Sequence, residues 1–451
     1  MPDQHLDRHL YRYPDRQLVR YPGRYLTVEE VADSARKLVA RCPGTARLRR
    51  VGTSRAGRPI ELLSVGHGPY HVLVVARPHP DEPVGGTTAL ALANQVAGGD
   101  GSSPATDPAR TTWNIILCLD PDGAALGKGI EAATAPPAPT LHDYYRTAFR
   151  PIAAEQPEWA PIESRQLPET QALLTVIDEL RPFLQCSLHS VEAGGTWVQL
   201  TRALPELPTP FLASATNLGI PVQHGTFDAL YWENPAPGIH VLPPPHSTAR
   251  LAPGSENIAL STWCAPQRYG GLTAIVEVPM WATDLADDPT PDPDPVSALR
   301  DLATLVRDGG RQVTTVLDKA RAFLPPPETD ASRRVLEWMA DGLYDLVATC
   351  WEPLTREPAP RPLPRAQICA LDIVARRQPL RAAGLLLRLL HAAPDPAAPA
   401  LHQDLTDLYT TWCTAFEAAL RLRWVPIHAQ VELQTRVVVA AAESALPARM
   451  P

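Results

Sequence analysis

The chain has 451 residues, 45% of them apolar, and a formal net charge of −8 at pH 7. That is enough apolar material for one large domain or two, and the acidic balance gives no overall basic field to attract nucleic acid or an anionic membrane. The opening stretch "MPDQHLDRHLYRYPDRQ" is polar, and no later segment offers the roughly 18 uninterrupted apolar residues of a membrane span, so a cytoplasmic protein is expected.

Residues 1–24 read as an irregular arm carrying a short near-repeat, RYPDR then RYPGR. From Thr27, "TVEEVADSARKLVARCPG" has a threonine cap, Glu30 three residues later and Val31, Leu38 and Val39 on one face, which predicts a helix ended by Pro43-Gly44. Strands are expected at 59–66, 71–76, 112–119, 196–200 and 272–278, and another in "LQCSLHS". Helices are expected at 84–98, in "LPETQALLTVIDEL", at 208–218 and at 296–322. Strands alternating with helices predict an α/β fold with a largely parallel sheet covered on both faces.

The Asp- and Pro-rich run "ATDLADDPTPDPDPV" reads as a stiff connector. After residue 324, Ala-, Leu- and Arg-rich stretches predict helices near 331–350, 366–392, 400–423 and 428–446. They form a helical C-terminal domain, 324–451, whose faces could cover the rest, bind a partner or form a homo-oligomer. Seven cysteines are scattered without a CxxC pair and are read as free thiols.

Ligands collect beyond the carboxyl ends of strands in open α/β sheets, and the ionisable residues cluster there. In "VVARPHPDEPVGG", His79 and Glu82 follow an apolar run, three positions apart, so a turn could aim both at one point. His189 closes a second apolar strand, "LQCSLHS". Two imidazoles and one carboxylate leave a fourth tetrahedral position for water, the arrangement of a catalytic zinc site. Glu277, alone in "LTAIVEVPMW", must be paired, protonated or functional in such surroundings, and is the candidate proton shuttle. Each piece has a plainer reading, since an isolated HxxE recurs by chance and its histidine can cap a helix. Asp81 is read as a supporting or capping carboxylate rather than a ligand. The other histidines, among them His71, His224, His240 and His246, are read as surface or loop residues.

These motifs, in this order, resemble the zinc carboxypeptidases of the carboxypeptidase A type from about Tyr25 to Trp281: "VGTSRAGRPIELLSVG", "HPDEPVGG", "LDPDGAALG", "LPETQAL" with "SLHS", and "IVEV". The resemblance implies a mixed central sheet of about eight strands with helices on both faces, and a catalytic domain over 25–323. It also implies one Zn2+ ion held by His79, Glu82 and His189, with Glu277 as general base and acid. Asp120 stands where the family's turn has Asn. Lys128 lies beside the position of the family's oxyanion-stabilising Arg, and Tyr145-Arg146 replaces its Asn-Arg clamp. Tyr269 or Tyr231 is a candidate for its capping tyrosine. The implied activity is a zinc-dependent, carboxypeptidase-like hydrolase acting on a peptide or acyl-amino-acid substrate. A small-molecule amidase or deacylase on the same fold, and a non-catalytic binding or scaffold protein, are the alternatives.

Overall fold

The computed structural model describes residues 23–99, 103–133, 139–229, 232–243, 258–346 and 363–447. The N-terminal near-repeat up to residue 22, Tyr231, His246 and Cys350 lie outside them. The described cysteines are all free thiols, and no helix among the described residues is long and apolar enough to cross a membrane.

The first helix, α1 (Val28–Arg41), begins where the sequence expects it: Thr27 accepts from the Glu30 amide, and the Glu30 carboxylate accepts from the Thr27 amide. A strand that the helix-ending Pro43-Gly44 concealed follows directly, β1 (Ala46–Thr53), paired antiparallel to β2 (Pro59–Gly66). The next elements are β3 (Tyr70–Val75), α2 (Val84–Gly98), β4 (Thr111–Ile116), and three short helices, α3 (Pro121–Leu126), α4 (Ile130–Ala133) and α5 (Leu141–Thr147). After them come α6 (Pro168–Leu180), β5 (Leu184–Gly194), β6 (Trp197–Leu200), α7 (Pro208–Asn217), β7 (Glu233–Ala236), β8 (Ile239–Val241) and β9 (Leu272–Ala282). The chain continues through α8 (Pro295–Ala320), α9 (Ala331–Leu346), α10 (Arg365–Ala392), α11 (Ala398–Leu420), the two-residue strand β10 (Arg423–Trp424) and α12 (Ile427–Ala445).

The sheet has ten strands in the order β1-β2-β4-β3-β5-β9-β6-β8-β7, with β10 on the end of β9. It is mixed: β4, β3, β5 and β9 run parallel, and antiparallel pairs flank them. Beyond the six strands read from the sequence pattern lie β1 and the short β7, β8 and β10, the last three too brief to show a period in the sequence.

One sheet face is apolar, with Val72, Val74, Leu188, Val276 and Val198 packed under α1, α2, α7 and α12. The other is apolar only toward β2 and β4, where α6 lays Leu173 and Ile177 on Ile60, Leu73 and Val75. Its centre carries Gln185, Ser187, His189, Thr273 and Glu277, which alternate with the apolar set because side chains on a strand point to opposite faces. This half-polar face becomes the candidate site.

The helices after residue 324 pack into the same cores as the sheet. Residues of α8, α9, α10 and α11 share a core with Tyr144, Tyr145, Met280 and Trp281, at the carboxyl ends of β5 and β9. The last helix, α12, lies on the apolar face, and its Gln434 amide donates to the carbonyl oxygens of His189 and Val276 at 2.8 and 3.2 Å. The Asp/Pro run does more than connect. Asp294 caps α8 at the Ser297 amide, and the Asp292 amide donates to the Leu363 carbonyl.

Candidate metal centre

His79 and Glu82 sit in the tight passage from β3 to α2, where the Glu82 amide donates to the His79 carbonyl at 3.3 Å. The following glycines allow close approach: a Cβ on Gly85 would lie 3.2 Å from the Arg77 amide nitrogen and 3.3 Å from the Leu188 Cβ. Because α2 can press that near to β5, the turn meets the residue after Leu188, which is His189.

The result is a compact donor set. Nδ1 of His79 lies 3.1 Å from Oε1 of Glu82, and Nδ1 of His189 lies 3.0 Å from Oε2 of the same carboxylate. The two rings meet edge to face at 4.8 Å. One ligand atom from each of the three residues falls within 4.8 Å of the others, the only such group of three among the described residues. Two imidazole nitrogens and a carboxylate converging from two chain segments fit a zinc ion and leave a coordination position open.

The electrostatics agree with a site built for a cation. Burial opposes ionisation of Glu82, but Arg150, His79 and His189 outweigh it and hold the carboxyl well below its ordinary range. Burial disfavours charge on His189, yet Glu82, Glu158 and Glu277 raise it well above an ordinary histidine. Burial, reinforced by Arg150, lowers His79.

Glu277 lies across the ladder from His189, with its Oε1 3.9 Å from Nδ1. Its backbone is fixed by Thr196, whose hydroxyl donates to the Glu277 carbonyl at 2.6 Å. Burial pushes its carboxyl up to about 8, partly offset by His189, with Glu82 and Asp228 adding to the rise.

The structure brings His79, Glu82, His189 and Glu277 together. It disperses the other candidates. Lys128 is exposed between two short helices. Arg146, on the last turn of α5, lies toward α11, where it adds to the effect of burial in lowering His402. Tyr145 is buried between α5 and α10, its carbonyl so near α10 that a Cβ on Gly384 would come within 2.1 Å of it, and its hydroxyl has no hydrogen-bond partner. Tyr269 stands just before the start of β9, away from Glu277, and donates to Asp178 at 3.0 Å under the guanidinium groups of Arg181 and Arg268.

Two residues that sequence reasoning did not single out reach the cluster. Arg150 places Nη2 at 2.5 Å from Glu82 Oε1 and Nε at 2.9 Å from Asp81 Oδ1. Glu158 receives His189 Nε2 at 3.1 Å. Asp81 turns to cations, accepting from Arg150 and, at 3.1 Å, from Arg381 of α10. Arg381 and Arg377 also pair with the buried Glu192 on β5. His240 is not a surface residue: it is 2% exposed on β8, in register with Gln199, with neither ring nitrogen hydrogen-bonded. The short "GIHV" between prolines hid that strand.

The chain resembles a metallo-carboxypeptidase from Burkholderia cenocepacia at 17% identity, covering 58% of this chain and 62% of that one, with a TM-score of 0.37. It resembles a metallo-carboxypeptidase from Pseudomonas aeruginosa at 20% identity, covering 54% and 58%, with a TM-score of 0.35. Bovine thrombin-activatable fibrinolysis inhibitor is similar at 11% identity, covering 56% and 86%, with a TM-score of 0.37. The chain thus spans less than two thirds of the length of the Burkholderia and Pseudomonas proteins. No curated protein matches it. The zinc carboxypeptidase family pattern matches residues 31–195, a span that contains His79, Glu82 and His189 and stops short of Glu277. Over that span the chain's sequence is similar to the zinc carboxypeptidase family, the resemblance its motifs led us to expect.

Proposed function

We propose that the chain is a zinc-dependent hydrolase of amide bonds, with His79, Glu82 and His189 holding one Zn2+ and Glu277 moving the proton. The observation that carries this reading is the convergence of the three donors with Glu277 on the adjacent strand. Zinc bound there supplies a Lewis acid for a carbonyl and lowers the pKa of water to about 7.

The remaining work falls to side chains. Glu277 takes a proton from the attacking water and returns it to the departing amine as the C–N bond breaks. Arg150 is the cation supported for the negative charge that develops on the carbonyl oxygen, or for a substrate carboxylate, because its guanidinium is already at the cluster. Arg146 and Lys128 do not reach the cluster in this arrangement. The substrate class that suits these groups is a peptide or acyl amino acid with a carboxylate near the scissile bond.

The test is metal analysis of the purified full chain, joined to a panel of C-terminal peptides and N-acyl amino acids. One zinc per chain and chelator-sensitive hydrolysis are expected. Release of amino acid from acyl substrates alone favours the deacylase over the carboxypeptidase. Absence of stoichiometric zinc, with His79→Ala behaving as the parent, overturns the reading.

A further inference from the structure

Glu158 follows the 3-10 turn Ala153–Glu155 and is 1% exposed. Three donors reach its carboxylate: the Ser187 hydroxyl at 2.8 Å, the Trp263 indole at 2.9 Å and His189 Nε2 at 3.1 Å. Burying a carboxylate is costly, and a neutral amide or hydroxyl would serve the serine and the indole as well. Of the three donors, His189 is the one that also belongs to the proposed metal cluster, so it is the partner that gives a carboxylate a role here. The geometry is directional: Nε2 faces Glu158 and, at 2.9 Å, the Ser187 hydroxyl, while Nδ1 faces Glu82 on the opposite side of the ring.

We infer that Glu158 is a positioning residue, which keeps the proton of His189 on Nε2 and turns Nδ1 toward the metal. This rests on the metal reading of the cluster. Hydrogen-bonded carboxylates behind a ligating histidine fix its tautomer and ring orientation and make it a stronger donor, and their loss typically costs 10–100-fold in metal affinity. Ser187 and Trp263 hold Glu158 itself, so the support is assembled from β5 and from the 3-10 turn Thr262–Tyr269.

The experiment compares the full chain with Glu158→Gln and Glu158→Ala, with Trp263→Phe as a packing control. It measures Zn2+ affinity by competition with a chromophoric chelator, the absorption spectrum with Co2+, and the melting of the metal-free protein. Glu158→Gln keeps the volume and is expected to bind Zn2+ roughly tenfold more weakly with an altered Co2+ spectrum, and Glu158→Ala more weakly still. The control is expected to stay within about threefold of the parent, below the range of such supporting contacts. Parental affinity and spectrum in Glu158→Gln overturn the inference, and this variant decides the matter if Glu158→Ala does not fold. Equal losses in all three variants, tracking lowered melting, also overturn it, because packing then sets the affinity. A parent chain that binds no Zn2+ sinks the metal reading itself, and with it any metal for Glu158 to serve.

Discussion

His189 and Glu277 occupy a paired position on adjacent parallel strands, with Nδ1 of one 3.9 Å from Oε1 of the other. A donor and a base set on neighbouring strands are held by the sheet ladder rather than by a loop, so their separation is nearly fixed. Replacing Glu277 by Gln keeps the shape and removes the proton acceptor. Hydrolysis is expected to fall by about 10²–10⁴-fold, with the bound zinc unchanged. Assays of rate and metal content on the same preparation check this, and an active Glu277→Gln protein sinks the assignment of the base.

Arg381 reaches from α10 to Asp81 and Glu192, both buried. Burial raises Glu192, but Arg381 and Arg377 outweigh it and bring the carboxyl down to about 2. A depressed carboxyl contributes stability that is present above its unfolded value, near 4.5, and lost as the pH falls toward 2. Arg381→Met leaves carboxylates short of a partner and is expected to cost roughly 3–5 kcal/mol at neutral pH. Urea unfolding should show that cost shrinking below about pH 4 as the carboxylates protonate.

Asp120 accepts from the Gly123 amide at 2.9 Å through Oδ1, while its buried Oδ2 has no hydrogen-bond partner. Burial pushes this carboxyl from 3.8 up to about 7. The unfolded chain therefore gives up its proton first as the pH rises, and stability is lost between about pH 4 and pH 7. Asp120→Asn retains the acceptor and removes the titration. It is expected to raise stability at pH 8 by roughly 1–3 kcal/mol and to change little at pH 4. Equal effects at the two pH values would discard this account.

His240 titrates in the opposite direction along the scale. Burial lowers it from 6.5 to about 4, so the unfolded chain binds a proton before the folded one does. Stability present above about pH 6.5 is lost as the pH falls toward 4. The loss is expected to reach roughly 2–3 kcal/mol and to flatten in His240→Leu. Denaturant midpoints across that range measure it, and parallel acid curves for the two proteins would refute it.

The residues legible in the sequence were those whose chemistry coincides with an interruption of an apolar run. His79, Glu82, His189 and Glu277 each break or end a strand pattern, and a polar residue there needs a reason. Most of the helices were equally visible, because caps and a 3.6-residue apolar period mark them locally, as in α1 and α8. Arg150, Glu158 and Arg381 were not visible, since what distinguishes them is a partner remote in the chain. Arg381 meets Asp81 across 300 residues, and on α10 it reads as an ordinary charge on a helix face. The resemblance placed Tyr145 and Arg146 by alignment with a clamp, but α5 packs Tyr145 under Gly384 and turns Arg146 toward α11.

Gln434 gives the molecule a schedule. Its amide bridges the carbonyls of His189 and Val276, clasping the two strands that carry a proposed ligand and the proposed base. A ribosome translates both strands long before it reaches this glutamine, at some 5–20 residues per second. A growing chain therefore carries both strands for roughly 8–30 seconds before it has the contact that ties them to α12. The apolar face beneath β5 and β9 is therefore expected to be fully covered only once α12 docks on it.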